Sequence, residues 1–314
     1  MDAGDLRIFE AVARLKGMNR AASELHTVQS NVTARIRLLE QSLGEKLFLR
    51  HSRGVTLTAA GQRLLPYADK IAELLAQARC AVAEDGKPKG RLSLGSLETT
   101  AMLRLPPVLA RFAAAHPAVD LVLTTGTTGE LVARVLERRL EGAFVCGPIA
   151  QSELAEEVVF REELAVVTAP GLRRWHDALA EPDPKIVVLR LGCSYRQRLE
   201  ALLMKRGVVG LRYLEFGTLD AIIGCVAAGI GITLLPKSVV ETPRRQGRLA
   251  VHALAPKDAR VDTVFIRRRD AFRSSALAAF LDCAYRNGPR AGVRTSGESR
   301  SRSLRRPGGA GRNR

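Results

Sequence analysis

The chain of 314 residues carries 49 Lys or Arg against 32 Asp or Glu, a formal net charge of +17, and 46% of its residues are hydrophobic. That length and apolar content suffice for more than one folded unit with a substantial core. No stretch reaches the roughly 18 apolar residues that a membrane-spanning helix needs, and no hydrophobic leader opens the sequence, so the expectation is a cytoplasmic protein with no membrane partner.

The first predicted helix runs from Leu6 to Lys16, with Leu6, Phe9, Val12 and Ala13 as its buried stripe and Asp5 suited to the helix dipole. Asn19 is a candidate N-cap for a short alanine-rich helix from Arg20 to Leu25, in which Ala21 and Ala22 admit a close neighbour. His26 and Thr27 make a turn, and Thr27 is the expected cap of a helix from Val28 to Leu43. Val32, Ile36, Leu39 and Leu43 recur at helical spacing and point to the core. The opposite face holds Gln29, Ser30, Asn31, Thr33, Arg35 and Arg37, short hydrogen-bonding groups and guanidinium forks of the kind that meet base edges and phosphates. An ordinary solvated face explains that helix alone equally well. The next segment shifts the balance: Arg50, His51 and Arg53 precede Gly54, and Val55 to Thr58 alternates as a strand. A basic hairpin after such a helix is a wing fitted to phosphates or the minor groove.

Thr58 is the expected cap of a long helix from Ala59 to about Ala83, whose seam is Leu64, Leu65, Ala68, Ile71, Ala72, Leu75 and Ala78, with Pro66 in its second turn. Such a seam pairs with a second copy of the chain or packs on the chain's own second domain. Asp85 to Gly90 reads as a hinge. Strands are then predicted at Arg91 to Ser96, Val119 to Thr124, Gly142 to Cys146, Leu164 to Thr168, Ile186 to Leu189, Arg212 to Phe216, Thr233 to Leu235 and Val261 to Arg267. Helices are predicted at Thr100 to His116, Glu130 to Arg139, Arg196 to Lys205, Leu219 to Ala228 and Phe272 to Tyr285. This alternation implies an α/β unit of two open subdomains with mainly parallel sheets.

Ligands of such folds sit at strand carboxyl ends and helix N-termini. Ser96, Thr99 and Thr100 line one such junction, Thr125 and Thr127 a second, Ser194 and Arg196 a third, and Thr218 a fourth. Hydroxyls beside free backbone N–H groups suit an anion, and Arg196 would pair a carboxylate or sulfate. Caps and turns use the same residue types. Glu98, an acid in the first loop, would repel an anion and suits an amine or donor-rich ligand instead.

Residues 9 to 65 resemble the LysR-type transcriptional regulators. The resemblance lies in the RAA…L turn, the Q-S-x-V-T-x-x-I-x-x-L-E helix, the L-G-x-x-L-F-x-R step and the R-G-V-x-L-T-x-A-G wing. It implies a winged helix-turn-helix with Gln29, Ser30, Asn31, Thr33 and Arg35 at positions that meet DNA and Arg53 on the wing. It also implies dimerisation through the linker helix, tetramers spanning two inverted-repeat sites in double-stranded DNA, a small-molecule effector in the cleft and contact with RNA polymerase. The expected organisation is an all-α winged head at 1–58, a linker helix and hinge at 59–90, and a periplasmic-binding-protein-like α/β effector domain at 91–285. Its subdomains would be 91–162 plus 265–285, and 163–264. A disordered basic tail would occupy 286–314.

No G-x-S-x-G, H-E-x-x-H or Walker loop is present and the five histidines are scattered, so no catalytic residue is assigned and the chain is not expected to be an enzyme. The five cysteines form no C-x-x-C pair, which predicts reduced apolar fillers, no metal site and no cofactor. The charge is unevenly spread: residues 1–88 hold 13 basic against 10 acidic side chains, whereas 286–314 hold 9 Arg against one Glu. Two other readings remain open. A nonspecific architectural DNA binder would rely on that tail; an α/β ligand-binding or enzymatic domain would use the head as an adaptor only.

Overall fold

A computed structural model describes residues 1–51, 54–82, 84–179 and 184–286. The tail expected at 286–314 lies, apart from Arg286, outside the described residues. In the N-terminal head, α1 (Ala3–Leu15), α2 (Met18–Glu24) and α3 (Gln29–Leu43) enclose Phe9, Val12, Ala21, Val32, Ile36 and Leu39. The antiparallel hairpin of β1 (Phe48–His51) and β2 (Gly54–Leu57) closes the unit, with Phe48 opposite Leu57 and both turned toward that core. Three details differ from the sequence reading. Helix α2 starts at Met18 after an extended Gly17, because burying Met18 sets its start and no side-chain cap from Asn19 is needed. Val28 is the N-cap of α3, while the Thr27 hydroxyl accepts from Asn31 Nδ2 at 2.9 Å. Leu43 is largely exposed, since Gly44 at φ 69° ends the helix beyond the edge of the core.

Helix α4 (Ala59–Val82) passes through Pro66 unbroken. The Thr58 hydroxyl accepts from Gly61 N at 3.0 Å and caps its first turn. Leu64, Leu65, Ala68 and Ile71 pack on the head, whereas Tyr67, Leu74 and Leu75 stay exposed.

The C-terminal domain follows the order β3 (Gly90–Ser96), α5 (Glu98–Leu103), α6 (Leu105–Ala115), β4 (Val119–Thr125), α7 (Thr128–Leu136), β5 (Gly142–Cys146) and β6 (Leu154–Thr168). Then come β7 (Lys185–Leu189), α8 (Ser194–Met204), β8 (Arg212–Phe216), α9 (Leu219–Ala227), β9 (Thr233–Pro236), α10 (Lys237–Arg245), β10 (Ala250–Ala253), α11 (Pro256–Ala259), β11 (Arg260–Arg268) and α12 (Ser275–Tyr285). The main sheet runs β10-β6-β11-β5-β3-β4, with β9 also on β6, and β7 pairs β8 separately. Only β3–β4, β3–β5 and β7–β8 are parallel pairs among the named strands; every partner of β6, and β11 with β5, is antiparallel.

The expectation of mainly parallel sheets is therefore corrected. Its cause is β6, fifteen residues long where the sequence predicts only Leu164 to Thr168. Glu156, Glu157, Arg161, Glu162 and Glu163 hide the strand's apolar alternation, and its ladder with β11 supplies the missing antiparallel pairing. The predicted helix from Thr100 to His116 is two helices, because Pro106 and Pro107 lack the N–H groups that would continue it and instead start α6. Helix α10 and strand β10 have no counterpart in the sequence reading, and the last helix begins after the Ser274 cap rather than at Phe272.

One core gathers Phe112, Phe144, Phe160, Phe265 and Phe280 beneath β3, β5 and β11, and a second gathers Val187, Ile222, Val226 and Leu235 on the far side. Phe144 lies at the centre of the first, 5.0 Å from the Phe265 ring and 6.2 Å from Phe280. Phe144→Ala should therefore cost about 3–5 kcal/mol of stability. Urea unfolding of the full chain checks this, and Phe144→Leu should lose clearly less.

Candidate DNA interface and ligand cleft

The head presents the start of α3 to solvent because the turn before it is tightly held. Thr27 N donates to Ala22 O at 2.9 Å, and His26 takes a left-handed φ of 51° to make the corner. Buried Ala21 and Ala22 leave room for α3 to cross α2 closely. Gln29, Ser30, Asn31 and Arg37 are exposed, Thr33 is half-buried, and Arg50 stands exposed on β1. Arg53 lies outside the described residues.

Arg35 differs from the sequence reading. Its Nε donates to Asp5 Oδ1 at 2.6 Å and its Nη2 to Asp2 Oδ1 at 3.0 Å. The same two aspartates form the capping box of α1. Arg35 is thus a strut that ties α3 to the start of α1, and a free guanidinium aimed outward is not what the fold offers there.

Glu40, whose role sequence reasoning missed, and Gly54 of the expected turn place the wing. Buried Glu40 accepts from Leu47 N at 2.9 Å and Phe48 N at 3.3 Å, and Lys46 Nζ donates to it at 3.0 Å. It fastens the first wing strand to α3. Burial by itself would raise its pKa, but the N–H groups of Leu47 and Phe48 and the Lys46 ammonium outweigh burial and hold it below 4.5. Gly54, at φ 132°, sits where a Cβ would lie 2.5 Å from Lys16 O, so only glycine lets the wing meet the end of α1. An acid at the end of an amphipathic helix carries no sign of burial in sequence; its bonds depend on where the chain returns.

In the C-terminal domain the predicted ligand residues divide among three environments. Thr99, Thr125, Thr127 and Thr218 line a cavity of about 220 Å³ between the two halves, together with Glu98, Arg190 and Tyr195. Ser194 lines a second cavity of about 480 Å³ with Thr128, Cys146 and Arg198. Ser96 and Thr100 are buried behind the loop; the Ser96 hydroxyl donates to Leu97 O at 3.0 Å. Thr127 caps α7 and closes a capping box with Glu130.

Arg196 corrects a further expectation. It pairs with Glu200 at 3.0 Å and Glu215 at 2.7 Å and lies 4.8 Å from the Tyr213 ring centroid, so its guanidinium is already occupied.

The halves meet across the cleft through specific bonds. Gly129 N donates to Gly192 O at 3.3 Å, Ser194 Oγ donates to Thr128 Oγ1 at 3.0 Å, and Leu219 N donates to Glu98 Oε1 at 3.2 Å. Burial pushes up the pKa of the Tyr195 phenol, which bonds the Thr99 side chain, and of the Cys146 and Cys193 thiols. The thiols are therefore protonated, apolar fillers at neutral pH. At Gly192, φ is 91° and a Cβ would stand 2.9 Å from Thr127 Oγ1.

Glu40→Ala leaves two buried N–H groups without an acceptor and should destabilise the head by about 2–3 kcal/mol at pH 7. Because the folded pKa is lowered, Glu40's contribution is complete above 4.5 and is lost as pH falls through the folded value. Unfolding curves of wild type and variant should therefore converge on acidification. Gly192→Ala should lower stability by about 1–3 kcal/mol, read by thermal unfolding, because the positive-φ backbone and the Thr127 contact both resist a Cβ.

Residues 3–62 match the model described as "Bacterial regulatory helix-turn-helix protein, lysR family", and residues 85–288 match "LysR substrate binding domain". HTH-type transcriptional regulator GltR of Bacillus subtilis (strain 168) is 43% identical over 279 residues, 88% of this chain and 93% of GltR. The uncharacterized HTH-type transcriptional regulator YusT of the same organism is 46% identical over 282 residues, 90% of this chain and 95% of YusT. Among solved structures, full-length CbnR complexed with its target DNA superposes with a TM-score of 0.64 at 24% identity, covering 92% of this chain and 100% of CbnR, a likeness of fold.

Proposed function

The chain belongs to the LysR family of transcriptional regulators, with an N-terminal DNA-binding head and a C-terminal effector-binding domain, and from that premise we propose how its residues divide the work. Two copies read an inverted repeat in double-stranded DNA, each placing the first turn of α3 in the major groove with half-sites about one helical turn apart. Gln29, Ser30 and Asn31 meet base edges, Thr33 and Arg37 flank them, and Arg50 on the wing holds phosphate. The observation that carries this reading is the exposed first turn of α3, held on a rigid corner beside the wing. Helix α4 leaves Tyr67, Leu74 and Leu75 uncovered in one chain, which supports dimerisation through that helix. Tetramers then span two operator sites, and the assembled regulator contacts RNA polymerase in the cytoplasm.

A small-molecule effector enters the cleft at the 220 Å³ cavity, lined by Thr99, Thr125, Thr127 and Thr218. It changes the balance between two placements of the halves, and with them the spacing of the heads. Regulation, not turnover, is the activity.

Footprinting with purified full-length protein tests the DNA reading. A discrete footprint over an inverted repeat is expected. Gln29→Ala should weaken it by about tenfold or more and relax specificity at one base pair, without moving the melting temperature. Arg50→Ala should weaken all sequences alike and reduce the salt slope by about one. Binding without sequence preference in wild type would overturn the proposal.

A further inference from the structure

The small cavity in the cleft has an unusual balance of charge. Its charged lining side chains are Glu98, at the start of α5 in one half, and Arg190, after β7 in the other. Glu98 is engaged through one oxygen. Helix α9 begins at Leu219 without a side-chain cap from Thr218, and Glu98 reaches across the cleft to accept from Leu219 N at 3.2 Å. The position that an anion would take at that helix N-terminus is therefore held by the protein's own carboxylate. Its other oxygen, Oε2, bonds nothing among the described residues. Arg190 is exposed at the cavity wall and pairs with no carboxylate among the described residues. The remaining lining is neutral, with the Thr125 and Thr218 hydroxyls beside the apolar Leu97 and Leu189.

We propose that this cavity binds a small zwitterion, a free amino acid or a molecule of that size carrying one protonated amine and one carboxylate. The inference rests on the reading of the cleft as the effector site and names the ligand's chemical class. The ammonium donates to Glu98 Oε2, leaving the Oε1 bond to Leu219 intact, and the carboxylate pairs with Arg190. A simple anion would face Glu98 inside a partly desolvated cavity, and a simple cation would face Arg190. Either leaves a repulsion that separated opposite charges remove. At about 220 Å³ the space suits an amino-acid-sized molecule and lies below the roughly 300 Å³ of pockets that take drug-sized ligands.

The test is calorimetric titration of the full-length protein with the common free L-amino acids, with the N-acetyl form and the decarboxylated amine of any that bind, and with benzoate and inorganic phosphate. Saturable binding of at least one free amino acid is expected, with each truncated form weaker by about ten- to a hundredfold. Glu98→Gln removes the charge but keeps an oxygen for Leu219 N, so it should weaken the amino acid to a similar extent. A cooperative melting transition of the variant shows that it is folded, so that weaker binding reads the lost charge. Tighter binding of benzoate or phosphate than of any amino acid would overturn the proposal while leaving the cleft as the effector site. Unchanged amino-acid affinity in Glu98→Gln, or no binding of any amino acid, would overturn it as well; the footprint separately decides the regulator reading.

Discussion

The antiparallel pairing of β6 with β11 carries both halves of the C-terminal domain, and every residue of the cleft is placed relative to it. Arg260 faces Glu163 at one end of the ladder and Arg268 faces Leu154 at the other. A continuous hydrogen-bonded ribbon resists shear but bends and twists, and the register shift between Thr263 and Val264 puts an irregularity near its middle. On one side stand the loops after β3 and β4, on the other those before α8 and α9. Glu98 and Thr125 are held on one side and Arg190 and Thr218 on the other, and a shared cluster that includes Leu131, Val135, Ile186 and Leu199 packs the halves together. The bonds Gly129–Gly192, Thr128–Ser194 and Glu98–Leu219 add polar ties between the halves.

Several charged side chains of this protein serve to hold its own elements in position. Arg35 joins two helices of the head through Asp2 and Asp5, Glu40 fastens the wing, and Arg196 is held between Glu200 and Glu215. Each satisfies a buried or half-buried ion with several hydrogen bonds, which is the condition under which such groups are tolerated. The charged groups left for other molecules are those that no acid among the described residues reaches, such as Arg37 on α3 and Arg190 on the cleft wall. A basic residue's value as a contact thus depends less on its place along a helix than on whether a carboxylate can reach it first.

Head and effector domain are linked by more than a tether. Arg139 reaches Asp69 on α4 at 3.3 Å, Arg138 donates to Gln77 Oε1 at 3.3 Å, and Glu84 accepts from Ser275 N at 3.0 Å. These bonds are exposed or partly exposed and individually weak. They bias the linker's direction through several small contributions rather than one strong tie.

Sequence determined the local elements and the class of the head. The spacing of Val32, Ile36 and Leu39, the Thr58 cap, the Gly54 turn and most strands of the C-terminal domain are encoded within a few residues of themselves, because periodicity and capping act over one or two turns. The exposed first turn of α3 was legible for the same reason, and so were the strand-to-helix junctions at Ser96–Thr100 and Thr125–Thr127. The tertiary structure alone decided sheet direction, since the charged first part of β6 has no local mark of burial and its partner β11 lies about a hundred residues away. It also decided which candidate side chains are free. Arg35 and Arg196 read as contacts until Asp2 and Asp5 are seen to claim the one and Glu215, with Glu200 of its own helix, the other, and Glu98 reads as an obstacle until Leu219 supplies its donor. An ion's partner is a matter of distance in space, and that distance is set only when the chain has closed on itself.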